Sequence, residues 1–229
     1  MSNSDLKIIA IGSMLIDHIG AILFPNIIVF RMFGRLAFPI FAFLLVEGFF
    51  RTQNAKMYLT RLGMYALLAE IPFDLAVKGV WFELTHQNIF FTLFLGLSAI
   101  MIYDRYKDTK RLPSYIFVAA IAVISIGIGA DYGVLGIATI FIFYLYRDEK
   151  SRALISVAGL HIFYGISVAY GVPSGFVWPN AIQALAAVSM LFIARYNGQR
   201  GLGLKYTFYL FYPAHLLVLY GISRLMAAV

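Results

Sequence analysis

Apolar stretches of roughly twenty residues follow one another along almost the whole of this chain, and a bilayer core needs about that length per helix. They lie near residues 6–24, 31–50, 57–78, 86–104, 113–129, 131–147, 152–171, 176–194 and 204–226. Hydrocarbon offers no water to bond the backbone, so spans of this kind must satisfy their own amides as helices. The pattern predicts an all-α, polytopic integral membrane protein of about nine transmembrane helices. The third stretch fits least well, because Arg61, Glu70, Pro72 and Asp74 interrupt it. Gly127-Ile128-Gly129-Ala130-Asp131-Tyr132-Gly133 predicts a tight hairpin between the fifth and sixth helices, glycine turning there without steric cost. No Pro/Ser-rich linker, low-complexity tract or convincing internal repeat divides the chain, so one domain over residues 1–229 is expected.

Only 13% of the residues are charged, against about 25% in a soluble domain. Net charge is +7, yet the basic residues cluster at the ends of apolar spans. That is the positive-inside pattern, and it argues for a lipid bilayer as partner and against nucleic acid. Of 18 Lys and Arg residues, only Arg31, Arg35, Lys78 and Arg224 fall at the opposite ends. This asymmetry puts the N-terminus in the cytoplasm and the C-terminus outside. The first span carries Asp17 and His18 and no small-residue cleavage site, so it reads as a retained helix. With no cysteine in the chain, disulfides, thiolate metal sites and cysteine nucleophiles are excluded.

Ionisable groups in hydrocarbon are costly and usually face a protein interior or a wet cavity. Asp17 and His18 lie past the midpoint of the first span. Glu70 and Asp74, four residues apart, share one face of the third. Arg31, Arg35, His86, Gln87, Asn88, Asp131, Asn180 and Gln183 are placed toward the outer side, and His161 and His215 near mid-membrane. Glu47 alone is clearly on the inner side. The inference is a polar cavity that opens outward, with a floor near the midplane, ringed by Pro39, Pro72, Pro179 and Pro213, each expected to bend or break its helix. Structural readings stand beside these: an Asp17–Arg35 ion pair, Glu70 and Asp74 held by Arg31, an interfacial His86 and a packed His161.

Histidine is the usual general base near neutral pH. Neighbouring residues on a helix point about 100° apart, so Asp17 is expected to pair with Arg31 or Arg35, and His18 with another group such as Glu70 or Asp74. No metal-ligand spacing, Gly-x-Ser-x-Gly elbow, phosphate loop or dinucleotide fingerprint is present, and no metal is expected. The loop Tyr196–Tyr206 is rich in glycine and basic residues, and its amides with Arg200 and Lys205 suit the phosphates of a coenzyme A. A flexible positive-inside loop is the simpler reading of the same spacing.

Six segments carry a family resemblance: Met14–Gly20, Arg31–Phe49, Glu70–Leu75, Gln87–Leu93, Asp131–Gly136 and Lys205–Leu217. In this order, over nearly the whole chain, they resemble the TraX family of bacterial integral membrane proteins, whose namesake acetylates the N-terminus of the F pilin subunit. That family is similar to a wider group of transmembrane acyltransferases, including the acyltransferase-3 and heparan-glucosaminide acetyltransferase proteins. The resemblance implies an enzyme of the bacterial cytoplasmic membrane. It would move an acetyl group from cytoplasmic acetyl-CoA to an extracytoplasmic amine or hydroxyl on a pilin, peptide or glycan. It implies His18 as the catalytic base. Asp17, Arg35, Glu70, Asp74 and His215 are carried as further catalytic positions, and Gln87, Asn88 and Asp131 as substrate-binding positions. Arg35, Asn88 or Gln87 would stabilise the oxyanion.

Two other readings use the same residues. Carboxylates and histidines in spans also build proton relays, as in a proton-coupled transporter. The third reading is a non-catalytic assembly factor for a pilus or other surface structure.

Overall fold

A computed structural model describes residues 1–171, 181–203 and 205–228, without the side chains of Lys205 and Tyr206. The expectations for Pro179, Asn180 and the Lys205 side chain lie outside the described residues. Among the described residues the chain is helical throughout and has no strand; a lone bridge joins Gln87 to Ala130. The helices are α1 (Asn3–Ile22), α2 (Ile28–Gly34), α3 (Ala37–Arg51), α4 (Ala55–Lys78), α5 (Ile89–Tyr106), α6 (Arg111–Gly127), α7 (Gly133–Leu145) and α8 (Lys150–Tyr170). A 3-10 segment (Ile182–Val188) then leads into α9 (Ser189–Ala194), and α10 (Lys205–Met226) follows.

Local sequence sets the ends. Ser2 and Asp5 form a reciprocal capping box at the start of α1. Asn54 accepts from the Met57 amide at α4, and Asn88 from the Phe90 amide at α5. Gly79 closes α4 in the left-handed region at φ 72°.

The second expected span is two helices, broken at Arg35-Leu36. Pro39 explains the position. Its ring would press on the Arg35 carbonyl, and it has no N–H to bond that oxygen. Pro72 and Pro213, also expected to bend or break their spans, interrupt neither α4 nor α10. Three helical stretches are long and apolar enough to cross a membrane by length and composition: Ile28–Arg51 taken across its break, Ile89–Tyr106 and Lys150–Tyr170. The others are shorter or more polar; α7 has 13 residues, about 20 Å at 1.5 Å per residue. The apolar helices mark a membrane protein, and Leu67, Val123, Ile155 and Phe163 turn their side chains outward as lipid-facing residues do.

Helix α3 is central. It packs on α1, α5, α7 and α9, and ten of its fifteen residues are buried. Helix α10 packs on α1 and α4, and α8 on α7 and the 3-10 segment. One end of the bundle gathers basic residues. There Glu47 accepts from Arg51 (3.0 Å) and from the Tyr196 hydroxyl (3.1 Å), and its other oxygen lies 3.7 Å from Arg147. The opposite end holds Arg31, Arg35, His86 and Asp131 around a separate cavity. The α6–α7 hairpin closes that end as its glycines predict. Gly129 has φ 64°, and a β-carbon there would overlap the Thr85 carbonyl.

Candidate active site

Asp17 and His18 leave α1 in different directions, as helical geometry requires. The Asp17 carboxylate turns to α2 and is gripped by two guanidiniums. Oδ2 lies 2.6 Å from Arg31 Nη1, and Oδ1 lies 2.7 Å from Arg35 Nη2. Arg35 also donates to the Arg31 carbonyl (3.2 Å) and to Gln183 Oε1 (3.3 Å). Gly34 makes this approach possible, because a β-carbon there would overlap the Asp17 carboxylate.

His18 turns to α10. Its Nδ1 is 2.7 Å from His215 Nε2, and His215 Nδ1 is 2.7 Å from the Phe211 carbonyl. That carbonyl can only accept, so His215 carries its proton on Nδ1. In the neutral ring its Nε2 is then an acceptor, and His18 must donate from Nδ1. The consequence is a lone pair on His18 Nε2, the form a general base requires. The expected pairing of His18 with Glu70 or Asp74 is corrected here, since the partner is a second histidine.

A second chain of bonds holds Arg35 from behind. Gln183 presents Oε1 to Arg35, so its Nε2 donates to His161 Nδ1 (3.1 Å). His161 then donates from Nε2 to Thr139 Oγ1 (3.1 Å), which donates to the Leu135 carbonyl (2.7 Å). Every donor in the chain has one acceptor, and the direction is set throughout. His161 is thus the packed, hydrogen-bonded histidine of the structural reading, but it packs against the machinery of the site.

Asp17, His18, Arg31 and Arg35, but not the groups behind them, border a cavity of about 130 Å³, here called the narrow cavity. Asp17, His18, Arg31, Arg35, His86, Asp131, Tyr132 and Tyr212 line it, with Met14, Ala37, Phe38, Phe41 and Phe73 among its apolar walls. The remaining expected site residues lie elsewhere. Glu70 accepts from the backbone and side chain of Asn88, and Asp74 from the Glu83 amide (2.7 Å). One oxygen of each, Glu70 Oε1 and Asp74 Oδ1, is buried without a hydrogen-bond partner among the described residues. Asn88 caps α5 and donates to the Ala66 carbonyl (2.8 Å), while the Gln87 backbone pairs with Gly129 and Asp131. Glu70, Asp74, Gln87 and Asn88 are absent from the lining of the narrow cavity; the intervening Phe73 and Val77 face it instead. Asn88 and Gln87 line neither of the two cavities described here, whereas Arg35 lines the narrow one.

A second, wide cavity of about 650 Å³ opens at the basic end. It is the larger of the two, yet no aspartate, glutamate or histidine lines it. Lys7, Arg51, Arg61 and Arg200 do, together with Leu44, Leu45, Gly48, Tyr58, Leu93, Phe208 and Tyr209. Arg51 is paired with Glu47, but Lys7, Arg61 and Arg200 have no ion pair among the described residues. Arg200, one of two expected phosphate ligands, stands on the rim. Its loop is docked on α1 by the Leu202 amide donating to Ser4 Oγ (3.0 Å) and the Asn3 amide to the Gln199 carbonyl (2.8 Å). Sequence reasoning missed this cavity and its Lys7, Arg51 and Arg61. The basic cytoplasmic helix ends were expected as a group to attract the phosphates of a donor, but no spacing singles out these three residues.

Comparison with known proteins finds a family model described as TraX protein that matches residues 2–223. A probable fimbrial assembly protein of Dichelobacter nodosus, serogroup H1, is 31% identical over 232 residues, covering 93% of this chain and 92% of that protein. An uncharacterized protein of Rickettsia prowazekii (strain Madrid E) is 28% identical over 150 residues, covering 64% of this chain and 56% of that protein. No solved structure matches.

Proposed function

The chain belongs to the TraX family, and from that premise we propose that it is a membrane-embedded acyltransferase, taking an acetyl group from cytoplasmic acetyl-CoA to an amine or hydroxyl on the other side. The single observation that carries this reading is the His18–His215–Phe211 relay, which leaves His18 Nε2 unprotonated beside the narrow cavity.

In this mechanism the acceptor N–H or O–H gives its proton to His18 Nε2 as its lone pair attacks the thioester carbonyl. Arg35, with Arg31 beside it, stabilises the oxyanion. Collapse breaks the C–S bond, forms the amide or ester, and returns the proton from His18 to the leaving thiolate. His215 holds the ring of His18 as its charge changes. The cations of the wide cavity would hold the phosphates of the donor. Asp131, on the wall of the narrow cavity, is the acceptor contact that remains from the sequence expectation.

The second reading is a non-catalytic assembly factor, favoured by what the Dichelobacter relative is called. One experiment separates them. The purified protein in detergent is incubated with acetyl-CoA, and free thiol is followed; the chain has no cysteine to add background. The enzyme reading expects thiol release that His18→Ala abolishes. Equal release by His18→Ala ends the catalytic assignment, and failure of both proteins to bind acetyl-CoA favours the assembly factor.

A further inference from the structure

Of the helices that wall both cavities, three pass from one to the other within about a helical turn. On α5 Leu93 lines the wide cavity and Ile89 the narrow one. On α10 Phe208 and Tyr209 line the wide cavity and Tyr212 the narrow one. On α3 the face runs from Ala37 and Phe38, on the narrow side, through Phe41 to Leu44 and Leu45, on the wide side. These are i, i+3 and i, i+4 steps, so they share one stripe of α3. Among the described residues Phe41 alone lines both cavities.

Aromatic rings stand where the two cavities meet. The Phe41 ring lies 4.5 Å from that of Phe208, and Phe208 lies 5.9 Å from Phe90. Phe90 meets Tyr212 edge-on at 5.1 Å, and Tyr212 stands 6.0 Å from the His18 ring. Phe41 and Tyr212 are buried and Phe90 is fully so. An aromatic layer therefore crosses the bundle between the cationic cavity and the base.

We infer that Phe41 is the movable septum of this layer and the residue that limits the length of the acyl group reaching His18. The inference rests on the acyltransferase reading for its substrate. A donor whose phosphates stay among Lys7, Arg61 and Arg200 must present its thioester beyond Phe41, so its arm takes the place of that ring. The acyl group then lies in the narrow cavity, with the displaced ring against it. A short acyl group clears the ring, and each added methylene meets it.

The test uses the native absence of cysteine. Met14, on the narrow cavity, is replaced by Cys, and a charged maleimide is applied to membrane vesicles from the basic side. Labelling of the Phe41→Ala, Met14→Cys protein is expected to be at least about tenfold faster than that of Met14→Cys alone, and Phe41→Trp to be no faster. Equal rates in all three overturn the septum. In parallel, the ratio of butyryl-CoA to acetyl-CoA turnover is expected to rise about tenfold or more in Phe41→Ala, the scale of methylene discrimination in a pocket. An unchanged ratio overturns the length limit. Faster labelling with no thiol release from either donor in any protein keeps the septum and removes the acyltransferase reading. Should Phe41→Ala fail to fold, Phe41→Leu opens the same gap with a smaller expected change.

Discussion

In the narrow cavity Asp17 accepts from two guanidiniums, Arg35 reaches a glutamine and a backbone carbonyl besides, and two histidines meet ring to ring. In the wide cavity Lys7, Arg61 and Arg200 have no carboxylate within ion-pair distance among the described residues, and Arg61 Nε, though its guanidinium lies 5.7 Å from the centre of the Tyr58 ring, is buried without a hydrogen-bond partner. Under the acyltransferase reading, the difference suits the two parts of one bundle to two tasks. A group whose bonds are already made is ordered at folding and needs no reorganisation when charge develops beside it. Cations left unanswered repel one another until an anion arrives, and so favour binding a polyanion. The first arrangement suits chemistry and the second suits capture.

The largest effect that would break this contrast concerns the base. His18→Ala should lower turnover about 10²- to 10⁴-fold while leaving acetyl-CoA affinity unchanged; thiol release and calorimetric titration read the two quantities separately. A loss of affinity with unchanged turnover would reverse the roles of the cavities. Next comes the ion-pair core. Asp17→Asn leaves two guanidiniums facing a neutral amide and should destabilise the protein by about 3–5 kcal/mol, measured by thermal unfolding in detergent. Gly34→Ala presses on the same carboxylate from α2, and a cost of about 1–3 kcal/mol is expected. The same unfolding assay should show less than additive loss when the two changes are combined. On the capture side, Arg61→Ala should weaken acetyl-CoA binding by about 1.5 kcal/mol or more, close to tenfold, with saturated turnover unchanged. The smallest effect sharpens the baseline. Arg152 pairs with Glu149 at 3.2 Å, but both side chains are 59% exposed, so Arg152→Ala should leave the thermal unfolding midpoint unchanged.

Most of the helical plan was legible. Length and hydropathy place nearly every helix within a few residues, while the caps Asn54 and Asn88 were seen only in the structure. Pro39 was expected to bend or break its helix, and the break falls at Arg35-Leu36, up to four residues before the proline. The pairing of Asp17 with α2 followed from the angle between adjacent helical residues. The partner of His18 did not. Depth along each span put Glu70, Asp74 and His215 all within reach, but depth says nothing of rotation about the helix axis. Helix α4 turns Glu70 and Asp74 toward the start of α5 and Phe73 and Val77 toward the narrow cavity. Likewise Gln87 and Asn88 have the right chemistry for an oxyanion, but capping and bridging already use them.

By itself the amino-acid order determined that this chain is a bundle of apolar helices with most of its basic residues gathered at one set of helix ends. The cause is local, since hydrophobic length and backbone self-satisfaction act within each segment. The tertiary structure alone decided that His18 meets a histidine 197 positions away, that His161 supports Arg35 through a glutamine, and that one phenylalanine stands between two cavities. Those facts depend on how each helix is rotated against its neighbours, and rotation is settled by close packing among side chains that no single segment contains.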